Sequence, residues 1–167
     1  MKTLRFLVMG FVTLIVFTSC TRVQFLNGIT EVSHTERSGT ILPELQLYEE
    51  LVITRESVTI SRNGMTPDTE VNEGTWEIEV GKNVLADFFT HLETIDCSSI
   101  RRVEPDQMDV GGGNITYNIT YGGGDDEFFL EYGGGTYYEN GEQLRDPIEA
   151  FIQGLPYPEG AAHRYQD

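Results

Sequence analysis

The stretch GGGNITYNITYGGGDDEFFLEYGGG, residues 111–135, decides the architecture. Glycine triplets at 111–113, 122–124 and 133–135 recur every 11 residues and enclose two segments, 114–121 and 125–132, of eight residues each. Glycine reaches positive φ without steric penalty, so the triplets read as hairpin ends and the segments as antiparallel strands. In the first segment Ile115, Tyr117, Ile119 and Tyr121 alternate with Asn114, Thr116, Asn118 and Thr120, giving one apolar and one polar face. Register follows from burial. Pairing Ile119 with Glu127 would set carboxylates on the apolar face, where each buried charge costs several kcal/mol. A slip of one residue pairs Ile119 with Phe128, Tyr117 with Leu130 and Ile115 with Tyr132, and this second register is the expected one.

The same parity argument extends towards the N-terminus. Leu47, Leu51 and Ile53 share one face, Val58 and Ile60 continue it across a turn at Glu56-Ser57, and Trp76, Ile78 and Val80 alternate with Thr75, Glu77 and Glu79. Asn83 can cap a helix over 83–95 whose stripe is Val84, Leu85, Phe88, Leu92 and Ile95. After Thr136-Tyr137-Tyr138, Asn140-Gly141 marks a turn. Asp146-Pro147-Ile148-Glu149 then reads as the start of a second helix, with Ile148, Phe151, Ile152 and Leu155 inward and Gly154 and Pro156 ending it. The order βββα-βββα predicts an α+β fold in two layers: a mostly antiparallel sheet of about six strands with both helices on one face. The domain is expected over 45–155, preceded by a tether over 20–44 and followed by a loose tail over 156–167.

The first 20 residues have a separate logic. Lys2 and Arg5 precede an apolar stretch of 12 residues, Phe6 to Phe17, which is too short for the roughly 20 residues a spanning helix needs and suits a secretion signal. Phe17-Thr18-Ser19-Cys20 resembles the lipobox of bacterial lipoproteins, apolar-x-small-Cys, with Phe where Leu is commonest. The resemblance implies that residues 1–19 are removed and that Cys20 carries a thioether-linked diacylglycerol and an N-acyl chain. Each buried CH₂ contributes about 0.8 kcal/mol, so two or three chains hold to the bilayer where one would not. Thr21, not Asp, follows Cys20, so the outer membrane is expected ahead of the inner one.

Composition narrows the partners. The signal holds two of the 11 basic residues and none of the 27 acidic ones, so the mature chain has 9 against 27, a net charge of −18. Such a field repels nucleic acid and anionic lipid and attracts cations and basic partners. With Cys20 acylated, Cys97 has no intramolecular disulfide partner and reads as a small buried hydrophobe.

Catalytic signatures are missing from the sequence. There is no Gly-x-Ser-x-Gly and no Gly-Lys-Ser/Thr phosphate loop, and His34, His91 and His163 show no metal-ligand spacing. Asp109 and Asp125 stand at opposite ends of strand 114–121, roughly 26 Å apart, well beyond the 5–9.5 Å of a glycosidase pair. No enzyme, cofactor or metal is therefore expected. The expected binding surface is the open face of the sheet: Asn114, Thr116, Asn118, Thr120 and Phe129, with Tyr137 and Tyr138 as aromatic anchors for an envelope protein or glycan. A second reading makes the chain an inhibitor of a secreted hydrolase, with segments 63–73 and 96–110 reaching into a cleft.

Overall fold

The computed structural model describes residues 28–106, 111–122 and 127–161. Six antiparallel strands form one sheet: β1 (Ile29–Arg37), β2 (Leu47–Thr54), β3 (Val58–Gly64), β4 (Gly74–Ile78), β5 (Asn114–Tyr121) and β6 (Glu127–Tyr132). Their order across the sheet is β4-β3-β2-β1-β5-β6. Two helices, α1 (Lys82–Glu93) and α2 (Glu142–Gln153), bury their apolar stripes in one core with the sheet and meet each other through stacked Phe88 and Phe151 rings, 4.1 Å between centroids. The α+β class, the six strands and the helical layer agree with the sequence reading. The register does too: Ile119 opposes Phe128, Tyr117 opposes Leu130 and Ile115 opposes Tyr132.

The composition of the sheet differs from expectation in one strand. Residues 29–37, assigned to the tether, form β1, which lies between β2 and β5 near the sheet's centre. Its inward positions include Val32, His34 and Glu36, so apolar alternation breaks off after Val32 and the strand carries no periodic signal. Conversely, Tyr137–Glu139 does not join the main sheet; it is β8, paired with β7 (Arg101–Val103) in a separate two-stranded ribbon.

The helices also start differently. α1 begins after Gly81, leaves Val84 exposed and buries Phe89 instead. α2 begins four residues before Asp146, so Pro147 lies inside it. One backbone hydrogen bond is lost there, but the earlier start adds Leu144, 1% exposed, one turn before Ile148 on the same stripe. The tail assigned to 156–167 is docked as far as it is described. Ala161 is fully buried, and the Gly160 carbonyl accepts from Asn72 Nδ2 at 2.7 Å.

Candidate functional site

Three cross-strand rows on the sheet's inward face cross all six strands, and their character changes along the strands. The first row runs Ile78, Val58, Ile53, Val32, Ile119, Phe128 and is wholly apolar. The second runs Trp76, Ile60, Leu51, His34, Tyr117, Leu130. The third runs Gly74, Arg62, Glu49, Glu36, Ile115, Tyr132, with charged residues on three neighbouring strands. Charge on the core side is expensive unless paired, and the third row shows how it is accommodated.

Arg62 Nε donates to Glu49 Oε2 at 2.6 Å, with both side chains about 95% buried. The second guanidinium arm reaches the Ala161 carbonyl at 3.2 Å, so the C-terminal segment closes over the ion pair. Trp76 lies against the same guanidinium, 5.7 Å from its ring centroid. In the second row His34 tilts against Tyr117, whose hydroxyl donates to Glu149 Oε1 of α2 at 2.6 Å. Burial, followed by that hydrogen bond and the Glu149 charge, pushes the Tyr117 phenol well above its ordinary value. Tyr157 is raised as well, by burial first and then by Glu49.

A half-open cavity of about 520 Å³ adjoins the third row. Glu36 and Glu49, directly opposite each other on adjacent strands, line it together with Leu47, Ile115 and Tyr132. Neither helix contributes to its wall. Arg37, Ser38 and Ile41 complete the wall together with glycine from three places in the chain: Gly39, Gly112-Gly113 and Gly133–Gly135. The first two approach backbone to backbone, with Thr40 N–H donating to the Gly111 carbonyl at 2.7 Å. Positive φ at Gly111, Gly134 and Gly135 shapes the two triplet loops.

The expected binding surface lies on the other face of the sheet. Asn114, Thr116, Asn118 and Thr120 point away from the helices and are half-buried, in rows with Ser33, Thr35, Val52 and Thr59. Phe129 opposes Asn118 and is 53% exposed. Among the described residues, the Asn118 side-chain oxygen is buried without a hydrogen-bond partner. The structure does not gather the three aromatic residues into one patch. Tyr138 turns inward against Tyr132 and accepts a hydrogen bond from the Glu131 N–H on edge strand β6, whereas Tyr137 is exposed on the ribbon opposite Val103. Covering an edge N–H in this way blunts a site where another chain would otherwise pair.

The segments expected to enter a cleft are tied back. Met65 N–H donates to the Gln46 carbonyl and Glu70 N–H to the Glu44 carbonyl, and 96–106 is held by the β7–β8 ribbon. Residues 107–110, Asp109, Asp125 and Cys20 lie outside the described residues. Among the described residues no three His, Cys, Asp or Glu side chains converge as metal ligands, and no helix is long and apolar enough to cross a membrane.

Sequence reasoning missed the cavity because its carboxylates look unremarkable one at a time. Glu36 belonged to a segment without period, and Glu49 interrupts the apolar parity of Leu47, Leu51 and Ile53. A signal was present in that interruption: charged residues at inward positions of β1, β2 and β3. Pairing the strands was needed to align them. No protein-family model matches the chain, and no curated protein or solved structure is significantly similar to it.

Proposed function

We propose that the chain is a lipid-anchored, non-catalytic binding module of the bacterial cell envelope whose ligand presents a cationic group to the cavity at the third row. The anchor rests on the signal and lipobox ending at Cys20. The binding reading is carried by one observation: Glu36 directly opposes Glu49 at the lining of a cavity that no helix covers. Like charges on opposed strand positions disfavour each other; Arg62 answers the Glu49 charge from the buried side, and a cationic group entering the cavity would add favourable charge on the Glu36 side. The net charge of −18 steers such a ligand inward. Basic side chains of an envelope protein or amino groups of a glycan carry the required charge.

The test is capture of envelope components on immobilised residues 21–167, compared with Glu36→Gln and Phe129→Ala. Retention should fall about tenfold or more with Glu36→Gln, as expected when a charge-assisted contact is lost, and hold with Phe129→Ala. The reverse pattern would move the functional surface to the open face.

A further inference from the structure

We infer that the acylated domain stands on the bilayer by the pole where β1 begins, so that the cavity opens about one strand length further from the membrane. The inference rests on acylation of Cys20 and follows from chain length and strand geometry. Only 28 − 20 = 8 Cα steps separate Cys20 from Gly28, an extension of at most about 26–29 Å.

The far end of β1 leads into Ser38 and Gly39 on the cavity wall. From Ile29 to Arg37 the strand covers about 27 Å. Inverting the domain, with the cavity against the headgroups, lifts Gly28 by about that distance and requires almost the whole contour of the connecting segment. That leaves no slack at all, whereas the upright arrangement makes no such demand on the connecting segment, so the upright arrangement dominates.

The start of β1 cannot fray to lengthen the connection without breaking a specific clamp. Ile29 N–H donates to Glu93 Oε1 at 3.0 Å, Arg55 Nε donates to the Ile29 carbonyl at 2.8 Å, and Arg55 also pairs with Glu93. The Gly28 carbonyl accepts from Gly122 N–H at 2.9 Å. A side chain at 28 would displace the Glu93 carboxylate from this clamp. The end of α1, the β2–β3 turn and β5 thus converge on the residue where the anchor segment enters the domain.

Lying flat is opposed by charge. The open sheet face carries Glu31, Glu50, Glu77, Glu127 and Glu131, which anionic headgroups repel. A ligand therefore reaches the cavity from the aqueous side.

The experiment places a fluorescent non-natural residue at Glu56, in the exposed β2–β3 turn, or at Gly112, where an added Cβ meets nothing within 4 Å. The chain is incorporated into vesicles containing an energy-acceptor headgroup lipid, in two forms. One carries its cellular acyl groups; the other starts at Cys20, has Cys97→Ser and is coupled chemically through Cys20 to a maleimide lipid. Transfer from position 56 should exceed transfer from position 112 severalfold in both forms. Equal or reversed transfer in the chemically coupled form overturns the upright arrangement, whatever happens in the cell. Failure of palmitate to label the cellular form through Cys20 overturns the anchor itself, and the vesicle measurement separates the two failures.

Discussion

The two ends of the inward sheet face pose opposite problems. At the end where β1 begins, a row of six apolar side chains meets Leu85, Phe89 and Leu92 of α1, and hydrophobic burial alone accounts for the packing. At the other end Arg62, Glu49 and Glu36 occupy equivalent positions: the C-terminal segment covers Arg62, and Glu49 and Glu36 line a cavity to which neither helix contributes. An ion pair in such a place is poor at stabilising a fold compared with apolar residues of the same volume. The contrast teaches that the first row makes the domain and that the third row serves something else.

Equilibrium denaturation gives the sharpest test of that division. Phe89→Ala empties a fully buried site and should cost about 3–5 kcal/mol, with nothing nearby able to restore it. Arg62→Met leaves the Glu49 carboxylate buried beside an apolar group and should cost about 3 kcal/mol. The double variant Glu49→Leu/Arg62→Met should then recover most of that loss. If the double variant is as unstable as Arg62→Met alone, the ion pair is structural and the contrast between the ends fails.

Legibility in the sequence followed the same gradient. Val32 aside, the apolar rows were readable from parity, because each strand that feeds them alternates cleanly. The β5–β6 register was readable for the same reason: one slip would have buried Glu127 and Glu131. β1 was not readable. It gains hydrogen bonds from β2 and β5 on both sides, so it needs little intrinsic strand character, and His34 and Glu36 at its inward positions hide its period. The extension of α2 was hidden by Pro147, which resembles a first-turn proline until the burial of Leu144 is known. Without β1 the charged row could not be assembled, and the cavity went with it.

Alkaline titration sharpens the comparison in the second row, between the two ends. The Tyr117 phenol has a raised value in the folded state, so folding favours its neutral form. Its contribution is fully present below the unfolded tyrosine value near pH 10 and is lost as pH climbs from there through the folded value. Stability should fall by up to about 1.4 kcal/mol per pH unit above pH 10 for this residue, with Tyr157 adding to the slope. Tyr117→Phe should flatten that slope in pH-dependent urea midpoints while lowering stability at neutral pH through loss of the Glu149 bond. An unchanged slope would mean that Tyr117 is not the titrating group.

The smallest effect concerns the glycine wall of the cavity, where neighbouring residues of one chemical type should respond differently. At Gly39 an added Cβ would sit 2.5 Å from the backbone of Gly111, Gly112 and Gly113, and backbone cannot step aside as a flexible side chain does. Gly39→Ala should therefore pry the two loops apart, break the Thr40 to Gly111 hydrogen bond and cost about 1–3 kcal/mol, the usual range for overpacking. Gly112 lies on the same wall, where an added methyl group would meet nothing within 4 Å and φ is ordinary, so Gly112→Ala carries no steric penalty. Reducing the freedom of the unfolded chain should instead leave it neutral or stabilise it by up to about 1 kcal/mol. Thermal midpoints of the two variants, measured side by side, decide between contact and composition. Were both equally harmful, glycine would be needed throughout the loop for its backbone freedom; a loss confined to Gly39 means that the wall is held by close backbone approach and that the cavity mouth at Gly112 is free to accept a side chain.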